Sequence, residues 1–169
     1  YVWSHRKNIG TPLDTGSMLM IAEFDPVHPE RLISEPKCLS RPLYGFENTE
    51  HTINNEGPYA FYYNNKIYLA YSGGDARGYL YAIGMLTAND GDDLCDLSVW
   101  EKAKTPIASF ATIPGEYGPG HNSFFWDRDQ NLWIAYHAVT SFEEKIVSSG
   151  MRRVYFEQDK TPRFDVIVE

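Results

Sequence analysis

The feature that most constrains this chain is a series of short aromatic and β-branched runs, set between turn residues and repeated at a fixed offset. Tyr59-Ala-Phe-Tyr-Tyr63 leads through Asn64-Asn65-Lys66 into Ile67-Tyr-Leu-Ala-Tyr71. Two such runs around an Asn-Asn pair form a hairpin, because Asn accepts the positive φ that a tight hairpin turn requires. Residues 123–126 (Ser-Phe-Phe-Trp), a polar loop over 127–131, and residues 132–136 (Leu-Trp-Ile-Ala-Tyr) repeat the scheme. Ile67 to Tyr71 lies over Leu132 to Tyr136 at an offset of 65. A third run over 79–86 follows Gly73-Gly74; residues 18–24 are its earlier counterpart, and Trp3-Ser4 echoes Tyr71-Ser72. No stretch carries helical periodicity. An all-β chain with a unit of this length is expected to form propeller blades.

The strands suffice for the end of one blade, two fuller blades and a closing tail, with terminal strands expected over 151–156 and 164–168. A closed propeller needs at least four blades. The chain is therefore expected to be the C-terminal part of a larger protein. Its open edges would be covered by the missing N-terminal half or by another chain, since an open edge invites pairing.

Composition narrows the function. The 169 residues carry 15 basic and 23 acidic side chains, a formal net charge of −8. Without a dense Lys/Arg stretch, nucleic-acid binding is not expected. No apolar run approaches the roughly 20 residues needed to cross a bilayer as a helix, so no membrane partner is expected. The 12 Tyr, 9 Phe and 4 Trp suit both β-strands and faces that stack on sugars. Cys38 and Cys95 have no CxxC spacing and read as free thiols rather than a zinc pair. The compartment, cytoplasmic or extracellular, is open.

Two segments hold polar groups beside residues that shape the backbone, each just ahead of an innermost strand. In Asn55-Glu56-Gly57-Pro58, Gly and Pro fix the chain path directly after the carboxylate. Neighbouring rings that desolvate Glu56 would let it hold a proton near neutral pH; a solvated turn glutamate is the alternative. In Tyr117-Gly118-Pro119-Gly120-His121-Asn122-Ser123, the glycines allow close backbone approach before the rings of Phe124, Phe125 and Trp126. His121 there is either a functional imidazole or a hydrogen-bonded structural one. The cluster Asp90-Gly-Asp-Asp93 lacks EF-hand spacing and reads as a solvated loop.

Taken together, Asn55-Glu-Gly-Pro58, the strand ending Ala70-Tyr-Ser72, and Tyr117-Gly-Pro-Gly-His-Asn-Ser-Phe124 resemble the second half of family 43 glycoside hydrolases. The resemblance implies a five-bladed β-propeller acting on arabinose- and xylose-containing polysaccharides, of the α-L-arabinofuranosidase or β-xylosidase kind. This chain would cover about the last two and a half blades: residues 1–50 as the end of blade 3 and a crossover, 51–115 as blade 4, and 116–169 as blade 5 and the closing strands. Glu56 matches the family's general acid. His121 matches a histidine at the central channel near one calcium or sodium ion held mainly by water; no organic cofactor is implied. Tyr59, Tyr117, His121 and Asn122 are the candidate contacts to an oligosaccharide or polysaccharide. The family's Asp base and pKa-modulating Asp would precede Tyr1; Asp14 and Asp25 do not match them. Inverting hydrolysis needs both carboxylates, so the segment alone is expected to be inactive. A carbohydrate-binding propeller without catalysis is the alternative.

Overall fold

The computed structural model describes residues 1–141, 143 and 146–166. Strands β1 (Val2–Arg6), β2 (Ser17–Ile21) and β3 (Lys37–Ser40) form an antiparallel meander in the order β1-β2-β3. Strands β4 (Asn55–Tyr63), β5 (Lys66–Gly73), β6 (Ala82–Asn89) and β7 (Glu101–Lys102) form a four-stranded meander in chain order. Strands β8 (Tyr117–Trp126), β9 (Leu132–Val139) and β10 (Val147–Arg153) form the third, and β11 (Tyr155–Phe156) pairs β12 (Pro162–Arg163) in a two-stranded ribbon. These meanders have the pattern of propeller blades, as expected.

The hairpin turn sits where the Asn pair placed it: Asn64 and Asn65 have φ of 49° and 62°, between β4 and β5. Several strand limits differ from the expectation. The third strand of the middle blade starts at Ala82 and runs to Asn89, because Tyr79 lies in a turn and gives its carbonyl to the Gly118 amide of the next blade. Its earlier counterpart spans Ser17–Ile21 rather than reaching residue 24, where Phe24 makes only an isolated bridge to Leu32. At the C-terminus, the strand expected over 151–156 is divided at Val154 between the end of β10 and β11. Phe164 is buried but lies past β12, and residues 167 and 168 of the expected last strand fall outside the described residues.

Strand β5 explains the core. It is sandwiched between blades, so successive side chains go to different clusters. Tyr68 and Ala70 join Phe61, Ile83, Met85, Phe124, Ile134 and Tyr136 on the side of the last blade. Leu69 and Tyr71 join Leu19 and Leu86 on the side of the first. Stacking is tight on the former side: the Phe61 ring lies 4.8 Å from Tyr68 and 4.5 Å from Phe124. A strand buried on both faces has no polar alternation, which is why residues 67–71 read as one unbroken apolar run.

On the other side a charged pair is buried with the rings. Glu47 is fully buried, 2.5 Å from the Lys102 ammonium, and accepts the Tyr71 hydroxyl at 2.7 Å and the Tyr44 amide at 2.8 Å. Lys102 also donates to the Arg41 carbonyl and lies over the rings of Tyr44 and Tyr71. In the full-length protein, Lys102→Met is expected to cost about 3–5 kcal/mol, because it strands a buried carboxylate. Adding Glu47→Leu should restore much of that loss. Urea unfolding midpoints of the single and double variants check this; an unchanged midpoint in Lys102→Met would contradict it.

Candidate active site

The first residues of β4 and β8 share one backbone device. Gly57 and Gly118 both have φ of 58°, each is followed by proline, and each sits where the strand slips register against its partner. A left-handed glycine in a bulge re-aims the side chain ahead of it. In β4 that side chain is Glu56; in β8 it is Tyr117. The two segments singled out by sequence are thus one turn repeated in consecutive blades, carrying a carboxylate in one and a phenol in the other.

The structure brings His121 against the turn that carries Glu56. The His121 ring lies against Gly57, about 3.5 Å from where a Cβ would project. His121 itself is in the left-handed region, at φ 51°, and its N–H donates to Ser72 Oγ at 2.7 Å. Ser72 hydrogen-bonds the Tyr81 hydroxyl. Tyr81 Oη in turn donates to Glu56 Oε1 at 2.7 Å. Both Ser72 and Tyr81 are fully buried. The Gly57 N–H donates to Ser4 Oγ at 3.2 Å, so the first blade also touches this turn.

A row of rings backs the carboxylate. His137, on β9, lies parallel to Tyr81 at 5.5 Å and to His121 at 6.5 Å. Gly120 makes this possible, since a Cβ there would fall 2.0 Å from the Tyr81 ring. Burial pushes the Tyr81 phenol well above the ordinary tyrosine range, with the Glu56 carboxylate adding to the rise, so it stays a donor at any working pH. Burial also pulls His137 below its usual value; repulsion from His121 adds to this, opposed by a hydrogen bond with Ala76 and attraction to Glu56.

The other expected contacts are placed differently. Tyr59 is 42% exposed, with its ring 6.0 Å from Phe124. Tyr117 makes an edge contact with Tyr79 at 6.1 Å. Asn122 is buried, and neither of its amide atoms has a hydrogen-bond partner among the described residues. Ser72, Tyr81 and His137 were not anticipated as site residues. The available signals were a serine and a histidine inside otherwise apolar strands.

Among the described residues, no three His, Cys, Asp or Glu side chains gather into a group that could hold a metal. Calcium favours six to eight oxygens. Beside His121, no cage of such side chains is present among the described residues.

His137 is expected to titrate below 6.5 by imidazole NMR of the full-length protein, and to move upward in His121→Gln, where the neighbouring positive charge cannot form. A His137 that titrates above 6.5, or that does not respond to the His121 change, would contradict the stacked arrangement.

Comparisons with known proteins place the chain in a family. The profile of "Glycosyl hydrolases family 43" matches residues 1–162. An extracellular exo-α-(1→5)-L-arabinofuranosidase of Streptomyces chartreusis is 35% identical over 126 residues, covering 74% of this chain and 37% of that protein. The protein of the same name from Streptomyces avermitilis is 29% identical over 163 residues, covering 92% of this chain and 33% of its own length. Among solved structures, an α-L-arabinofuranosidase from Lactobacillus brevis superposes with a TM-score of 0.80 at 30% identity, over 97% of this chain and 51% of that one. The chain thus spans about a third of these curated relatives and about half of that solved structure. It is all-β, made of the later blades of a five-bladed propeller, and belongs to glycosyl hydrolase family 43.

Proposed function

We propose that the protein containing this chain hydrolyses glycosidic bonds of arabinose-containing polysaccharides with inversion, as an α-L-arabinofuranosidase, and that Glu56 is its general acid. One observation carries the reading: a carboxylate re-aimed by a Gly-Pro bulge, held through one oxygen by a buried phenol and set beside an imidazole of the next blade. The names of the Streptomyces and Lactobacillus relatives supply the sugar.

In this mechanism the Glu56 proton passes to the glycosidic oxygen as the bond to the anomeric carbon breaks. A water attacks that carbon from the opposite face and loses its proton to a second carboxylate. Glu56 is left ionised, still accepting from Tyr81. The second carboxylate, and the aspartate that tunes the acid, lie in this reading outside the 169 residues. They belong to the half of the propeller that also covers the open blade edges. His121 and Tyr59 are both exposed and are proposed to face the sugar, with Tyr117 beside them. The water-held calcium or sodium ion belongs to the same proposal: this chain would give it one imidazole, and no step passes through it.

The test is arabinose release from an arabino-oligosaccharide by the full-length protein. Glu56→Gln is expected to lower kcat/KM by about 10²–10⁴-fold, the usual contribution of one acid–base group, and the 169-residue segment alone is expected to release nothing. Oligosaccharide binding without turnover would instead mark a non-catalytic carbohydrate-binding propeller. Turnover by the isolated segment would overturn the divided site.

A further inference from the structure

While Glu56 is ionised, the hydrogen-bond chain behind it has one direction. An ionised carboxylate only accepts, so Tyr81 donates its single proton to Oε1. The Tyr81 oxygen is then left to accept, and Ser72 supplies that proton. Ser72 Oγ in turn accepts the His121 N–H, a main-chain donor that cannot turn round. We propose that Tyr81, held by Ser72, is a positioning residue of the acid: it confines the transferable proton of Glu56 to Oε2 and stabilises the carboxylate that forms once the proton has left. The proposal rests on the reading of Glu56 as the general acid.

Two physical arguments carry it. A proton on Oε1 would point into the Tyr81 hydroxyl proton, so in the protonated acid only Oε2 can carry it while the Tyr81 bond persists. Hydrogen bonds to an ionised acceptor are also roughly twice as strong as neutral ones. The Tyr81 bond therefore strengthens as charge develops on Glu56, which is the condition for an interaction to speed the reaction rather than merely bind. The buried phenol cannot compete for the proton, because burial holds it in the neutral form. Gly120 preserves the arrangement by leaving room for the Tyr81 ring.

The titratable groups facing this chain are few. His121 on β8 lies against the Gly57 turn, His137 on β9 stacks on Tyr81, and Asp75, in the turn between β5 and β6, acts on Tyr81 electrostatically. None of them donates to Glu56 Oε1 among the described hydrogen bonds, so Tyr81→Phe removes the donor at that oxygen while keeping the ring.

The experiment is the pH profile of kcat/KM for the full-length protein and its Tyr81→Phe variant on an arabino-oligosaccharide. Removing a donor that strengthens on ionisation leaves the charged carboxylate less stabilised. The alkaline limb is therefore expected to move up by about one pH unit, with kcat at the optimum reduced about tenfold. Ser72→Ala, which loosens the phenol without removing it, is expected to move the limb the same way by less; it supplies the reading if Tyr81→Phe does not accumulate as folded protein. A limb that stays in place in whichever variant folds, or moves to lower pH, overturns the proposal, since a purely structural role lowers rate without moving it. Failure of the general-acid reading would look different: Glu56→Gln would keep full turnover, or the wild type would have none.

Discussion

The structure of this site depends on a single main-chain hydrogen bond between blades, from the His121 N–H to the Ser72 hydroxyl. It joins the inner strand of the last blade to the middle strand of the one before. A neutral hydrogen bond is worth about 1 kcal/mol net, but leaving its buried partner unmade costs more. The positive φ of His121 presents that N–H, and Gly120 lets the backbone pass over the Tyr81 ring. Ser72 also hydrogen-bonds the Tyr81 hydroxyl, and because the Tyr81 proton goes to the Glu56 carboxylate, Ser72 is the donor of that pair. The direction of a carboxylate in one blade is set by the path of the backbone in the next.

The repeat accounts for how such a device arises in a fold of similar blades. The Gly-Pro bulge with φ 58° opens both β4 and β8, so the scaffold offers the same projecting position twice. Only one of them carries an acid. Tyr117 fills the equivalent place in the last blade and meets Tyr79, while Glu116 beside it is taken up by Arg152 and Tyr136. Chemistry here differs between blades by side chain, on a backbone that does not change. The buried Glu47–Lys102 pair does comparable structural work behind Gly73, at the end of the strand that carries Ser72.

Much of this was legible in the sequence, for identifiable reasons. Asn64-Asn65 demanded a positive-φ turn and forms one. The spacing of the two hairpins gave the blades, and Glu-Gly-Pro with Gly-Pro-Gly-His-Asn marked the two segments that meet. What was hidden lies in strands whose burial masks function. Ser72 closes an apolar run, His137 sits among Ile134, Tyr136 and Ala138, and Tyr81 was read as one ring in a strand when it precedes that strand. A core strand is packed on both faces, so its polar members look like tolerated exceptions until a partner from another blade appears. Asn122 shows the converse. Its neighbour His121 is exposed while Asn122 turns inward, a consequence of a bulge that the residue order alone does not fix.

The claim at the centre of this account is that Glu56 delivers the leaving-group proton. The most direct measurement is the dependence of kcat/KM on leaving-group acidity, for wild-type and Glu56→Gln full-length protein on a series of aryl arabinofuranosides. The account predicts a shallow dependence in the wild type and a steep one in the variant, so that the most acidic phenols leave almost as fast without the carboxyl group. An equal fractional loss across the whole series would place the proton donor elsewhere.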